Sequence, residues 1–286
     1  MEKSSKNAKL ISLIILATVS VTIWYAVFYF EARQNLIVNF FDVGQGDAIF
    51  IEVPDGNQIL IDGGPNDKIL SRLGGVMPFW DRDIDLLVLT HPHADHLDGL
   101  LEVLKRYNIG QVLESGAEHS IPEYQEWRDL LRTKNVPVFV AQRGQKVKAG
   151  GAVFVVLAPF ENYGGKTLKN IHDATVILKM NYGSTTALFT GDAEKQLEYR
   201  LLWSNSDIKS DILKVGHHGS KTSTSEEFLK AVSPKFAVVQ VGRKNRYGHP
   251  AQEVLDRIAG AGVALFRVDL DRDTEFVSNG LQFWQK

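Results

Sequence analysis

Three of the eight histidines in this 286-residue chain, with one aspartate, fall within the six residues His91-Pro92-His93-Ala94-Asp95-His96. The run Asp85-Leu86-Leu87-Val88-Leu89-Thr90 before them reads as a short buried strand. Leu97, Leu100, Leu101 and Leu104 after them recur at helical spacing. A strand-to-helix turn cannot bury these four groups in an apolar core, and crowded imidazoles repel one another if protonated. A metal ion resolves the conflict, because neutral imidazole and carboxylate are preferred ligands for Zn²⁺ and similar ions. On an extended turn His91 and His93 point to one side and can share one ion. Asp95 and His96 then face an adjacent position. The plain alternative is a surface loop that happens to be rich in histidine, and the placement at a strand end argues against it.

Composition sets outer limits. A 286-residue chain that is 44% hydrophobic can build one large domain or two small ones. With no cysteine, disulfides and thiolate metal sites are excluded. A formal net charge of −2 gives no global field for nucleic acid, so a DNA substrate needs a local basic patch and metal.

Between Leu10 and Phe30 there is no charged residue. The run is about as long as a bilayer-crossing helix, roughly 20 residues. Lys3, Lys6 and Lys9 precede it, and Trp24, Tyr25 and Tyr29 sit towards its far end, as interfacial aromatics do. A cleaved signal peptide is the main competitor, but the run ends Val27-Phe28-Tyr29-Phe30-Glu31 with no small-x-small site. The expectation is a cytoplasmic basic tail (1–9), a transmembrane anchor (10–30) and an extracytoplasmic domain (35–286).

That domain begins with β-like segments at 36–41, 48–53 and 58–61, the last two joined by the turn Pro54-Asp55-Gly56-Asn57. After the strand ending at Thr90 come helix 97–107, strand 111–114, helix 122–134 and strand 137–141. Shorter β segments follow at 145–148, 152–157, 174–181 and 185–190. Alternation then resumes with helix 194–203, strand 211–216, helix 225–232, strand 235–240, helix 251–260 and strand 263–268. A pair at 274–278 and 281–284 turns at Asn279-Gly280. Two βα-rich stretches around a β-rich middle suit an α/β (α+β) architecture of two mixed sheets face to face with helices outside.

The histidine turn resembles the signature of the metallo-β-lactamase fold, whose members are mostly hydrolases holding one or two metals. More narrowly, the chain is similar to the extracellular hydrolase domain of the ComEC/Rec2 competence (DNA-uptake) proteins. The resemblance is carried by Asp42-Val43-Gly44-Gln45-Gly46-Asp47, Ile61-Asp62-Gly63-Gly64, Phe189-Thr190-Gly191-Asp192-Ala193, Lys214 to Ser223 with its central Gly216-His217-His218-Gly219-Ser220, and Asn245-Arg246-Tyr247-Gly248-His249-Pro250. These blocks occur in the family's order and span nearly all of the chain beyond residue 35. The resemblance implies the four-layer αββα sandwich, two divalent ions (Zn or Mn) and metal-assisted hydrolysis.

Residue by residue, the resemblance implies a first ion held by His91, His93 and His172, a second held by Asp95, His96 and His217, and a bridging Asp192. Alone, Asp192 also reads as a helix N-cap. Asp62 is implied as a carboxylate that orients the metal-binding turn, though an Asx turn explains it too. Position favours His217 over His218 as ligand, with His218 lining the substrate cleft, and Ser220, Asp42, Gln45 and Asp47 are expected nearby. His249 is a candidate proton donor to a leaving group or a contact to a phosphate oxygen, just before a helix that Pro250 can start. Asp95 is the other candidate for proton handling, although a ligand makes a poor general base. Arg243, Lys244 and Arg246 form the dense basic cluster where phosphate contacts are expected.

Two departures stand out. Many relatives in the DNA-uptake branch carry an acidic residue where this chain has His93, which favours a complete two-metal site here. In the stretch Asn170-Ile171-His172-Asp173-Ala174-Thr175 the family's isolated ligand is not clear, and His172 and Asp173 both stand at a suitable distance. The leading expectation is a phosphodiesterase acting on single-stranded DNA outside the cell, anchored in a bacterial-type membrane. An envelope phosphodiester is an alternative substrate. In a third reading the domain is a non-catalytic DNA receptor or the assembly partner of a separate membrane channel, since the full uptake proteins carry many spans and this chain one.

Overall fold

The computed structural model describes the backbone of residues 2–32 and 35–286 and side chains at 7, 9–25, 27 and 35–286. Helix α1 runs Glu2–Ala32. Among the described residues no helix is long and apolar enough to cross a membrane. The expected anchor at 10–30 includes Ala26, Phe28, Tyr29 and Phe30, whose side chains lie outside the described residues.

The first sheet is built from β1 (Leu36–Phe40), β2 (Ile49–Glu52), β3 (Gln58–Ile61), β4 (Asp83–Leu89), β5 (Asn108–Glu114) and β6 (Val138–Val140). Helix α2 (Lys68–Val76) precedes β4, and α3 (Ala94–Arg106) and α4 (Pro122–Thr133) follow β4 and β5. The second sheet takes β7 (Lys146–Ala149), β8 (Ala152–Ala158), β9 (Ile177–Tyr182), β10 (Thr185–Phe189), β11 (Ile212–Lys214), β12 (Phe236–Val239) and β13 (Ala264–Arg267). Helices α5 (Lys195–Trp203), α6 (Glu226–Val232) and α7 (Gln252–Gly260) lie between its last strands. The chain then returns to the first sheet as β14 (Thr274–Ser278) and β15 (Phe283–Gln285), giving the eight-stranded order β15-β14-β1-β2-β3-β4-β5-β6 against the seven-stranded β13-β12-β11-β10-β9-β8-β7.

The central strands of each sheet are buried on both faces, which is why β3, β4, β10 and β12 read as largely apolar runs. In β4, Leu86 and Val88 enter the core between the sheets with Phe40, Phe154, Phe189 and Phe276. Their neighbours Leu87 and Leu89 pack outward against α2, α3 and α4 through Leu73, Leu97, Leu104 and Trp127. The second sheet does the same with α5, α6 and α7 through Leu188, Leu213, Leu201, Phe228 and Ile258. The layers are therefore αββα, as expected.

Three local expectations are corrected. Helix α3 begins at Ala94 with His93 at its N-cap, so Asp95 and His96 sit on the first helical turn rather than on an extended loop. The strand expected from 174 begins only at Ile177, because residues 171–174 form a tight 3₁₀ turn in which the Asn170 side chain accepts the His172 amide. Helix α7 starts at Gln252, so Pro250 precedes it by two residues and does not begin it.

Candidate metal centre

The parallel strand pairs β3–β4, β10–β11 and β11–β12 all end at one rim. In open α/β sheets ligands bind beyond the carboxyl ends of strands, and here Asp62 follows β3, His91 follows β4, Asp192 follows β10, and His217 and His218 follow β11. All eight histidines join one continuous chain of ring contacts: His119 to His93, His93 to His91 and His172, His91 to His96, His96 to His218, His172 to His217, and His217 to His249.

Ligand atoms of His91, His93, His172 and Asp192 lie within 4.8 Å of one another, and so do those of Asp95, His96 and His218. Asp192 stands between the sets with one oxygen towards each. Its Oδ1 is 3.4 Å from His96 Nε2 and 3.6 Å from His218 Nε2, and its Oδ2 is 3.7 Å from His91 Nε2 and 4.0 Å from His172 Nδ1. Buried Asp192 Oδ1, His96 Nε2, His218 Nε2 and His172 Nδ1 have no hydrogen-bond partner among the described residues. Leaving such groups unpaired costs about 1–3 kcal/mol each, which metal coordination would offset. The residues present fit two divalent ions.

Supporting contacts fix which nitrogen points inward. His96 Nδ1 and Asp62 Oδ2 are 2.8 Å apart, and the same carboxylate accepts the Thr90 amide at 2.8 Å and the Thr90 hydroxyl at 2.7 Å. A carboxylate behind a ligand histidine sets its tautomer and orientation. Asp62 adopts φ 58°, a left-handed conformation uncommon outside glycine. His218 Nδ1 is 2.8 Å from the Gln240 carbonyl, which leaves Nε2 to face Asp95 at 3.3 Å. Below them Lys214 Nζ pairs with Asp47 Oδ2 and donates to the Gly191 carbonyl at 3.0 Å. The Gly44–Asp47 loop comes so close to the turn that a Cβ on Gly46 would sit 2.1 Å from the Asp95 carbonyl oxygen.

Electrostatics follow the same division. Burial, then His96, holds His91 well below the ordinary imidazole range, and burial, then His172, pushes His93 down to about 4. Burial likewise lowers His172. At His96 and His218 burial also opposes charge, but nearby carboxylates outweigh it: Asp192 and Asp62 raise His96, and Asp192 and Asp47 raise His218 to about 10. Asp192 is held well below the carboxylate range, since His218 and His96 overcome the cost of burying its charge. In Asp95 burial is outweighed first by its contact to His218, bringing it down to about 2. Four carboxylates, Asp47, Asp62, Asp95 and Asp192, thus demand positive charge at one rim.

His217 is placed differently from its sequence expectation. Its Nε2 lies 3.8 Å from Asp192 Oδ2, on the side of His91 and His172, and its Nδ1 lies 3.5 Å from Glu194. His218 takes the position beside Asp95 and His96, because consecutive left-handed residues at His217 (φ 45°) and His218 (φ 53°) swing the second ring inward. Asp173 faces Asn170 and belongs to neither ligand set, whereas His172 does.

The open side of the centre is a cleft of about 290 Å³ lined by Gln45, His93, Asp95, His217, Tyr247 and His249, among others. His249 stacks on Tyr247 at 5.9 Å. Burial, then His217 and His218, lowers its ring pKa. Arg246 lies over Tyr247 at 5.3 Å, while Arg243 and Lys244 line an adjoining hollow with Asp42. Asp42 itself turns to Gly44 and Arg72, and Ser220 is spent on Thr222, so neither lines the cleft.

Sequence reasoning gave no role to Lys214, Thr90, Glu194 or His119. Lys214 opened one of the blocks that carry the resemblance and stands as a lone cation in the apolar run Ile212-Leu213-Lys214-Val215. Glu194 joins three loops, accepting from Thr222 at 2.8 Å and from Asn170 at 3.4 Å beside His217.

Comparison with known proteins agrees with this geometry. ComE operon protein 3 of Bacillus subtilis is 31% identical over 249 residues, covering 81% of this chain and 32% of that protein. Competence protein ComA of Neisseria gonorrhoeae is 31% identical over 251 residues, covering 85% and 32% respectively. The chain thus spans about a third of the length of these relatives. Among solved structures, the metallo-beta-lactamase fold protein YhfI of Bacillus subtilis aligns over 85% of this chain and all of its own, with TM-score 0.59 and 14% identity. The description "Metallo-beta-lactamase superfamily" fits residues 41–243, the span from the Gly44–Asp47 loop through both ligand sets, and the chain belongs to that superfamily.

Proposed function

We propose that this chain is a membrane-anchored, extracytoplasmic, metal-dependent hydrolase of phosphodiester bonds, with a single DNA strand as substrate in an uptake setting. The observation that carries the hydrolytic reading is Asp192, with one carboxylate oxygen towards each of two ligand sets at the base of an open cleft. His91, His93 and His172 would hold one ion, and Asp95, His96 and His218 the other. Two divalent ions there would polarise the phosphoryl group and make water nucleophilic near neutral pH. With an ion in place of the ring proton that the carboxylates otherwise favour, Asp62 and the Gln240 carbonyl would take the Nδ1–H of His96 and His218 and leave each Nε2 to coordinate. His249, on the cleft rim, can pass a proton to a departing oxygen.

The DNA reading is supported by the similarity to competence proteins and by the basic residues beside the cleft. The anchor reading is supported by the uncharged run Leu10–Phe30 within a single helix and by unpacked apolar side chains such as Leu13, Leu16 and Val21. So many exposed aliphatic groups on one helix are costly in water and at home in hydrocarbon. A separate membrane-channel partner belongs to the same proposal.

The test uses the full chain in nonionic detergent, loaded with Zn²⁺ or Mn²⁺, on single-stranded DNA and on bis(p-nitrophenyl) phosphate. A His91→Ala/Asp192→Ala variant controls for contaminating nucleases. Metal-dependent cleavage of both substrates, lost in the variant, is the expected result. Cleavage of the small diester alone moves the substrate to the envelope. Absence of both metal and cleavage removes the enzymatic reading in favour of a DNA receptor.

A further inference from the structure

We propose that Lys68, Arg243 and Lys244 form a second phosphate-binding subsite beside the cleft, which takes a neighbouring phosphate of a single polynucleotide strand. The inference rests on the hydrolase reading and extends it from the reacting bond to the strand that carries it.

The subsite is a trough of about 340 Å³ in which Lys68 of α2 meets Arg243 and Lys244 of the loop after β12. Gln45 lines both this trough and the ligand cleft, so one side chain separates the two. That partition is fixed. The Gly242 amide donates to Gln45 Oε1 at 3.2 Å, and a Cβ on Gly242 would stand 2.7 Å from the Gln45 nitrogen, so the two loops pack backbone to backbone.

Among the described residues the side chains of Lys68, Arg243 and Lys244 are exposed and make no hydrogen bond or ion pair, whereas Arg72, Arg128 and Arg200 are each paired with a carboxylate. The one carboxylate lining the trough, Asp42, accepts the Gly44 amide and lies 3.8 Å from Arg72. Three uncommitted cations therefore face an anion site, on a chain whose net charge is −2. Arginine and lysine in such a hollow recognise phosphate oxygens. A small diester or a lipid headgroup that fills the cleft has no second phosphate to place there, whereas a polymer does.

Tyr247 narrows the polymer to a polynucleotide. The residue is 55% exposed at the cleft rim, with the His249 ring near-parallel to its own at 21° and the Arg246 guanidinium over it at 5.3 Å. An exposed aromatic ring with a cation beside it, next to a basic groove, suits an unpaired base.

The experiment measures anisotropy of a fluorescein-labelled phosphorothioate oligothymidylate, which resists cleavage, with the metal-loaded full chain in detergent between about 50 and about 200 mM salt. The trough variant is Lys68→Ala/Arg243→Ala/Lys244→Ala. A Lys134→Ala/Lys148→Ala/Lys230→Ala variant makes the same charge change elsewhere. The slope of log affinity against log salt should become shallower by about 0.7 for each phosphate no longer neutralised, in the trough variant and not in the control. Equal slopes in wild type and both variants overturn the subsite. So does failure of the wild type to bind while bis(p-nitrophenyl) phosphate is still hydrolysed, an outcome that leaves the hydrolase reading standing. Trough-dependent binding with no hydrolysis of any diester would keep the subsite and sink the hydrolase. Competition by poly(glycerol phosphate) as strong as that by oligothymidylate overturns the choice of a polynucleotide.

Discussion

Lys214 Nζ is ion-paired with Asp47 Oδ2 where neither side chain meets solvent, their exposures being 0% and 1%. The pair ties β11 to the Gly44–Asp47 loop, and Asp47 Oδ1 lies 3.2 Å from His218 Nδ1. Removing one member of a buried pair leaves an uncompensated charge and costs about 3–5 kcal/mol. Lys214→Met should lose that much in denaturant unfolding. The double variant Asp47→Asn/Lys214→Met should recover at least half of it. Equal losses in single and double variants would show that the lysine acts through packing.

Asp62 contributes to the centre only through its neighbours. It orients His96 and grips both the amide and hydroxyl of Thr90, next to His91. Asp62→Asn keeps the shape and tolerates the left-handed backbone at φ 58°, but loses the negative charge facing His96. Metal affinity should fall about 10- to 100-fold, the usual cost of such an outer partner, while the melting temperature of the metal-loaded protein moves little. Competition with a chromogenic chelator reads the affinity directly.

Asp98, one turn along α3 from the metal turn, has its pKa raised to about 6 by burial, then by Glu123 and Asp95. In the unfolded chain an aspartate titrates near 3.9. Above about pH 6 the folded protein carries a charge it disfavours. As pH falls through that folded value the native state takes up a proton before the unfolded state does, and below about 4 the cost is gone. Asp98→Asn should therefore stabilise the protein at pH 8 by about 0.5 kcal/mol, a small value because the side chain is partly solvated. The gain should vanish by pH 4. Thermal melts of both proteins across this range decide it, and a gain independent of pH would rule out the electrostatic cause.

Much of the fold was legible because its signals are local. The apolar run Leu86–Leu89 announced a strand buried on both sides, and the leucines after His96 announced α3. The histidine turn was recognisable because three imidazoles and a carboxylate stand together at the end of a strand, whereas Asp192, which alone reads as a helix cap, was picked out through the family resemblance. What escaped depends on distance in sequence. Nothing near Lys68 indicates that α2 delivers it to Arg243 and Lys244, and nothing near His119 indicates a ring contact with His93. The choice between His217 and His218 escaped for another reason: β11 ends at Lys214, and two consecutive left-handed residues then set the ring directions, so being first beyond the strand does not decide which imidazole turns inward.

The turn after β11 gives the last test. It sends His218 to Asp95 and His96 and leaves His217 between Asp192 Oδ2 and Glu194. His218→Asn retains a side-chain N–H for the Gln240 carbonyl, now 2.8 Å from His218 Nδ1, but removes Nε2. If His218 is the ligand, this variant should fold, keep one ion per chain after dialysis and hydrolyse bis(p-nitrophenyl) phosphate at least about 100-fold more slowly, a rate loss equivalent to about 2.7 kcal/mol. His217→Asn, 22% exposed in the wild type, should keep two ions and lose less than about tenfold. Metal content by mass spectrometry together with turnover separates the cases. The opposite pattern, one ion in His217→Asn and two in His218→Asn, would return the second ligand set to Asp95, His96 and His217.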